Sequence, residues 1–427
     1  MMTLVINLDP LYKENVMKKH LPHALVKHHL NQNFQAKNQY PDELLNILGG
    51  EKFETARNRI QNWPGYKNTP LIELDELADD LNIQSISYKD EGGRFGLGSF
   101  KALGGAYAVS QLLVKAIQSK LGNIEVSATD LTSGKYRDIT KDITVTCATD
   151  GNHGRSVAWG AQRFHCKCVI YIHSTVSEGR KKAIAQYGAD VVRIDGNYDD
   201  AVHQAALDAE TLGRFVVSDT SYEGYMEVPK DVMQGYAVMA DEALAQFKSE
   251  HSTLPTHIFL QGGVGGLAAA VVAHFWEKLG KDHPRFIVVE PDKAACLFES
   301  AVAGEPVAVK GDLDTIMAGL ACGEISLLAW EVLKPAVSDF IQIDDESALN
   351  VVRLLAKGDS NENKKIIAGE SAVAGLAALL ASANSSTLRE KLALDENSRV
   401  LIFGSEGATD PELYAQIVGK TAEALLV

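Results

Sequence analysis

A lysine stands among glycines just ahead of a helical pattern, in Gly96-Leu97-Gly98-Ser99-Phe100-Lys101-Ala102-Leu103-Gly104-Gly105. Apolar residues follow at helical spacing through Ala106, Val109, Leu112, Leu113 and Ile117. A cation at a helix N-terminus meets the positive end of the macrodipole, at a cost of about 0.3–1 kcal/mol. The glycines admit a bound group close to the backbone. One reading is that the Lys101 amine is held as an imine to the aldehyde of a bound group. The other is an exposed lysine whose side chain reaches water.

Two more glycine-rich elements sit between a strand pattern and a helix pattern. Thr149-Asp150-Gly151-Asn152-His153-Gly154-Arg155 follows a buried strand at residues 143–148. Gly262-Gly263-Val264-Gly265-Gly266 follows a strand ending at Leu260. Four glycines in five residues at a helix N-terminus present backbone N–H groups to a phosphate. The same loop has a rival meaning. Gly263-Val264-Gly265-Gly266-Leu267-Ala268 satisfies the dinucleotide pattern, and Glu290 ends the next strand where a ribose ligand would sit, so NAD binding stays open on this loop alone. A purely structural turn is the third reading.

The elements around these loops alternate. Strands are expected at residues 143–148, 168–172, 190–194, 215–218, 257–260 and 286–290, and helices at 155–164, 178–187, 198–212, 231–248 and 267–279. This alternation implies parallel sheets covered by helices, with ligands at the carboxyl ends of strands. Residues 127–141, polar with Ser133-Gly134 at the middle, read as a projecting hairpin. Residues 357–365 and 383–398 read as polar surface connections.

Ser99-Phe100-Lys101, Gly151-Asn152-His153-Gly154 and residues 262–266, in that order, resemble the lysine, ring-contact loop and phosphate loop of fold-type II pyridoxal-phosphate enzymes, the relatives of threonine dehydratase and tryptophan synthase β. Asn68-Thr69-Pro70-Leu71 and Tyr187-Gly188-Ala189 fit the same class, and the resemblance runs from about residue 66 to 410. Within the class the chain resembles the diaminopropionate ammonia-lyase family. That likeness rests on Arg94-Phe95-Gly96-Leu97, residues 148–155, Asp219-Thr220-Ser221-Tyr222-Glu223-Gly224-Tyr225, Gly319-Leu320-Ala321-Cys322-Gly323-Glu324 and Phe403-Gly404-Ser405-Glu406-Gly407. An aspartate stands before the Gly-Asn-His triplet, where threonine dehydratases usually carry serine.

The resemblance implies an α/β fold of two lobes, each with a mainly parallel sheet flanked by helices, and the cofactor in the cleft between them. Residues 85–215 would form the small domain, and 1–84 with 216–427 the large one. It implies pyridoxal 5'-phosphate bound covalently at Lys101 beside Phe100, with its phosphate on Gly262, Gly263, Val264, Gly265 and Gly266. Asn152 would contact the ring hydroxyl and Ser405 the pyridine nitrogen. The implied reaction is α,β-elimination of ammonia from 2,3-diaminopropionate, ending in pyruvate and two ammonia. Asp150 and Asp219 would serve as bases, one on each face of the substrate, so that both D- and L-forms react. His153 and Tyr222 would contact substrate. A threonine or serine dehydratase is the alternative within the class. Read from position alone, Asp150 is a helix N-cap, Asp219 a turn residue, Glu290 a site-edge or structural carboxylate rather than a ribose ligand, and Glu370 either a residue lining the cofactor cleft or part of an N-cap arrangement before an Ala-rich helix.

The chain has 427 residues and a formal net charge of −15, with no basic run to follow a phosphate backbone, so a nucleic-acid binder is not expected. Its most apolar stretches, at 262–276 and 371–383, are too short to span a bilayer, and residues 1–30 lack the apolar core of a signal peptide. A cytoplasmic enzyme acting on a small amino acid is expected, and the resemblance adds a homodimer. Cys147, Cys166, Cys168, Cys296 and Cys322 read as small buried hydrophobes rather than metal ligands, with the pairing of Cys296 and Cys322 left open.

Overall fold

A computed structural model describes residues 4–6, 26–35, 38–149, 151–196, 198–358 and 364–426. The chain divides into two compact units. One comprises Met1–Leu44, Thr69–Gly93 and Met239–Val427; the other comprises Leu45–Asn68 and Arg94–Val238.

The first unit carries an eight-stranded sheet in the order Leu4–Ile6, Val26–Leu30, Asp339–Ile343, Arg285–Pro291, His257–Gln261, Arg399–Gly404, Ser85–Asp90 and Leu71–Glu73. The five strands from Asp339–Ile343 to Ser85–Asp90 are parallel, and antiparallel strands complete both edges. Ile258, Phe259, Leu260, Ile287, Val288, Val289, Leu401 and Ile402 are wholly buried, as continuous apolar strands covered on both faces must be. The second unit has four parallel strands in the order Asp190–Ile194, Lys167–His173, Thr144–Ala148 and Phe215–Val216.

Each unit thus shows the α/β, mainly parallel architecture expected of fold type II. The smaller unit does not keep to residues 85–215: residues 85–93 belong to the larger one, and the smaller one takes in residues 45–68 and 216–238. Residues 45–68 and the start of the helix Glu227–His251 pack within it, for example through Gly49 N–H donating to Gln234 Oε1 (3.3 Å). Such a grouping is non-local and leaves no local mark in sequence.

Two expectations are corrected. Residues 127–141 are not a hairpin but the short helices Ala128–Thr132 and Arg137–Thr140. The Ser127 hydroxyl accepts from Asp130 N–H (3.0 Å) while Asp130 accepts from Ser127 N–H (3.1 Å), a capping box that commits the segment to a helical start. The polar stretch 383–398 contains the helix Ser386–Leu392, whose Leu388 and Leu392 are fully buried. Within 357–365, residues 359–363 lie outside the described residues.

In the second unit, the helices Lys101–Leu121 and Asn152–Arg163 lie against each other through small residues. A side chain at Gly105 would run into Ser156, and one at Gly160 into Ala106. Ser156 Oγ donates to Lys101 O (2.7 Å) and accepts from Ala106 N–H (3.2 Å), fixing the first turn that carries the lysine. In the first unit, Lys89 Nζ donates to Glu242 Oε2 (2.7 Å), Gln246 Oε1 (2.7 Å) and Thr69 O (2.9 Å). Thr69 Oγ1 adds a bond to Glu91 Oε1 (2.6 Å), so the Asn68-Thr69-Pro70 segment is anchored by a buried, hydrogen-bonded ion pair.

Candidate active site

Lys101 is the first residue of its helix, so its ammonium does face the unfavourable pole of the dipole. Its approach is braced from both sides. Arg94, almost wholly buried, donates to Lys67 O (3.1 Å), and Phe95 packs on Trp159 with ring centroids 5.0 Å apart. Arg155 Nη1 then ties down Leu97 O (2.6 Å).

The charge on Lys101 is answered by Asp219, whose Oδ2 accepts a hydrogen bond from Nζ. The two side chains are 19% and 16% exposed, open enough for a substrate yet mostly removed from water. The Lys101 Nζ also lies 5.3 Å from the ring centroid of Phe100 and 5.6 Å from that of Tyr236. Tyr236 is a residue that sequence reasoning missed. A side chain at Gly104 would collide with its ring, and one at Gly235 with Leu103 O, so both glycines make room for the ring beside Lys101. A glycine directly preceding a tyrosine inside a helix was the available signal.

Burial alone would raise the Asp219 carboxyl, but the His153 ring and the Lys101 ammonium hold it below the usual carboxylate range. His153 is itself lowered by burial, and so Lys101 is the cation that keeps Asp219 ionised. His153 Nε2 hydrogen-bonds Val217 O (2.7 Å), leaving Nδ1 turned to Asp219 Oδ2 at 3.7 Å. A neutral ring donating through Nε2 serves this arrangement and favours a positioning role. Asn152 opens the same helix and is half-buried beside it.

Asp150 lies outside the described residues. The capping position beside it is filled by Thr149, whose Oγ1 accepts from both Gly151 N–H and Gly154 N–H (3.0 Å each).

Asp219 itself is set by a tyrosine that the sequence did not single out. Tyr225 OH accepts from Ser218 N–H (3.0 Å) and donates to Val216 O (2.9 Å), pinning the backbone just ahead of Asp219. Tyr222 stacks on Tyr225 with centroids 5.1 Å apart and remains 48% exposed, available to a ligand.

In the other unit, residues 262–266 join the strand His257–Gln261 to the helix Gly266–Leu279. Gly263 and Gly265 adopt φ of 66° and 97°, the left-handed region that favours glycine. Among the described residues, the N–H groups of Gly263, Val264, Gly265 and Gly266 have no acceptor, although the three glycines are buried. Buried donors left together in this way suit an anionic ligand. The carbonyls of the loop are engaged elsewhere: Val264 O accepts from Ser326 N–H (2.9 Å), and Gly263 O lies 3.4 Å from the Cys296 thiol. Ser405 follows the strand Arg399–Gly404 and is 6% exposed. Backbone donors grouped in this way suit the phosphate of a phosphorylated aldehyde, and the lysine amine of the other unit is, taken by itself, a group that reacts with an aldehyde.

Glu290 has the structural task expected of it. Glu290 accepts from Leu297 N–H (3.1 Å) and Phe298 N–H (2.7 Å), capping the helix Cys296–Ala303. Glu370 is buried, but Val373 is the N-cap residue of the helix Ala374–Ala383. None of the five cysteines is in a disulfide; Cys166 and Cys322 are half-buried rather than buried, and burial pushes Cys147, Cys168 and Cys296 up, leaving them unreactive.

A family model described as pyridoxal-phosphate dependent enzyme matches residues 63–406. A Salmonella typhimurium protein named diaminopropionate ammonia-lyase is 39% identical over 401 residues, covering 93% of this chain and 98% of its own. An Escherichia coli K12 protein of the same name is 41% identical over 383 residues, 88% of this chain and 94% of its own. The crystal structure of the Escherichia coli diaminopropionate ammonia-lyase in complex with D-serine gives a TM-score of 0.84 at 37% identity, covering 93% of this chain and 98% of that one. The same Escherichia coli protein in complex with an aminoacrylate-PLP azomethine reaction intermediate gives 0.81 at 36% identity, covering 97% and 98%. A threonine deaminase from Solanum lycopersicum, at 20% identity and a TM-score of 0.68, covering 92% and 96%, shares the fold. With its lysine, glycine-rich loop and paired aspartate in the matched region, this chain belongs to the diaminopropionate ammonia-lyase family of pyridoxal-phosphate dependent enzymes.

Proposed function

We propose that the protein eliminates ammonia from D- and L-2,3-diaminopropionate, and that the 2-aminoacrylate released takes up water to give pyruvate and a second ammonia. The observation that carries this reading is the Lys101–Asp219 pair, an amine and a carboxylate held together in a mostly buried setting. Bound pyridoxal phosphate supplies an aldehyde that captures the substrate α-amine and a ring that accepts electron density as the α-proton leaves.

The chain supplies the rest. Lys101 holds the cofactor carbonyl and yields it to the substrate amine. The free N–H groups of Gly263, Val264, Gly265 and Gly266 receive the phosphate, while Asn152 serves the ring hydroxyl and Ser405 the ring nitrogen. A serine hydroxyl is a weaker partner for that nitrogen than a carboxylate and leaves the ring less electron-withdrawing, as suits elimination. Asp219 takes the α-proton of one enantiomer and Asp150 that of the other. A carboxylate in the site also attracts the distal ammonium of the substrate, a group that serine and threonine lack. His153, anchored on Val217 O, packs beside Asp219 without carrying the proton, and Tyr222 offers a ring at the substrate's edge. The family resemblance further supports a cytoplasmic homodimer.

The test is kcat/KM of the holoprotein on diaminopropionate, serine and threonine by coupled 2-oxo acid detection. A clear preference for diaminopropionate is expected; a preference for serine or threonine would replace this reading with the dehydratase one.

Tyr225 acts through Asp219. Tyr225→Phe keeps the stacked ring and removes the hydroxyl that joins Val216 O to Ser218 N–H. The expected loss is about tenfold in kcat for the enantiomer served by Asp219, with KM nearly unchanged and stability lower by about 1–2 kcal/mol. Equal losses on both enantiomers would show that the hydroxyl is only structural.

A further inference from the structure

We propose that Glu290 is coupled to the anion held by residues 262–266, so that a doubly charged anion entering this loop draws a proton onto the Glu290 carboxyl. The inference rests on the loop's assignment to the cofactor phosphate. Glu290 is 1% exposed and has no cationic partner among the described residues. It lies against the backbone of the loop's first residue: a Cβ at Gly262 would sit 2.9 Å from the Glu290 carboxyl carbon and 3.0 Å from Oε1. A second link runs through Cys296, whose thiol lies 3.7 Å from Glu290 Oε1 and 3.4 Å from Gly263 O.

The capping amides of Leu297 and Phe298 favour the ionised form, but burial outweighs them and pushes the carboxyl up to about 8. No neighbouring group supplies a balancing charge. On its own helix Glu299 adds repulsion, and its Oε1 accepts from the neutral Gln342 (3.1 Å). The Cys296 thiol, which has Cys322 beside it, is raised by burial and stays protonated. On the strand Val26–Leu30, His29 packs on Phe298 (centroids 6.0 Å apart) and is lowered by burial, so its ring is neutral. A carboxylate beside the loop's first residue and a dianion on the loop's amides, with little water to screen them, would repel each other. Linkage makes the effect reciprocal: ionising Glu290 weakens anion binding, and anion binding raises the affinity of Glu290 for a proton. The raised titration also has a stability consequence. The folded state binds the proton more tightly than the unfolded chain, so the stability that this group contributes is full below its ordinary value near 4.5 and falls as pH rises towards 8.

Sulfate is a suitable probe because it stays a dianion throughout the range and does not react with Lys101. Its affinity for the full-length protein freed of cofactor is measured by calorimetry from pH 6.5 to 9 at constant ionic strength. The wild-type Kd is expected to rise by about fivefold or more across this range, and that of Glu290→Gln, a neutral isostere, to stay level. A level wild-type curve, or an equal rise in both proteins, would overturn the coupling while leaving the loop assignment intact. Should Glu290→Gln fail to fold, the wild type suffices: sulfate binding at pH 8 in two buffers of different ionisation enthalpy must show proton uptake, and zero uptake refutes the coupling. Sulfate that fails to bind at any pH removes the loop assignment and this inference together, whereas the turnover test of the lyase reading is independent of both.

Discussion

Lys101→Ala is expected to lower kcat on diaminopropionate by at least about 10³-fold, because the proposed mechanism gives this amine the task of holding and releasing the cofactor carbonyl. The substitution has a second consequence. Asp219 loses the ammonium that keeps its buried carboxyl ionised, so its titration moves up toward and past the ordinary carboxylate range. Lys101→Arg separates the two effects. A guanidinium preserves the charge beside Asp219, but it cannot act as the nucleophilic amine. The arginine variant should therefore be as inactive as the alanine variant yet closer to wild type in its acid stability. Sulfate binding, which depends on the loop at 262–266, should survive in both and shows that the fold is intact. An arginine variant retaining more than about one tenth of wild-type kcat would contradict the covalent role.

Asp219→Asn is expected to reduce turnover of one enantiomer by about 10²–10⁴-fold and that of the other far less, with Asp150→Asn showing the opposite preference. Equal losses from either substitution on both enantiomers would sink the two-base reading. The pair also predicts a pH dependence of stability. The folded-state titration of Asp219 lies below the ordinary value of 3.8 that the unfolded chain keeps, so the Lys101–Asp219 interaction contributes fully above that value and is lost as pH falls through the folded one. Above pH 5, Asp219→Asn leaves a mostly buried ammonium without its anion, and Tm should drop below that of wild type. As pH falls below the ordinary value of 3.8 toward the folded-state titration, the two melting curves should converge; a gap that stays constant through this fall would mean that the pair does not titrate as described.

The chemistry was easier to read in the sequence than its supports. Lys101 and residues 262–266 were legible because glycine density and a strand–helix boundary are local signals, and both stand where the pattern put them. The parallel strands were legible through apolar runs bounded by helices. Strand order was not, since it depends on pairings such as Arg399–Gly404 beside Ser85–Asp90, more than 300 residues apart. Glu290 ends a strand after a dinucleotide-like loop yet reads as a structural carboxylate rather than a ribose ligand; the fold adds which groups take its oxygens, the amides of Leu297 and Phe298. Tyr225 and Tyr236 were missed for a similar reason. Each matters through a partner distant in sequence or through room made by a glycine, and aromatic residues in helices and loops are ordinarily packing groups. The helices in 128–140 were hidden by polar composition, although Ser127 and Asp130 had the spacing of a capping box.

The central claim is a lyase that releases both nitrogens of diaminopropionate. It is tested most directly by measuring pyruvate and ammonia together, with purified holoprotein and each enantiomer in turn. The expected result is pyruvate with two equivalents of ammonia from the D- and the L-form. No pyruvate from either form, with one equivalent of ammonia per 2-oxo acid from serine or threonine, would contradict it.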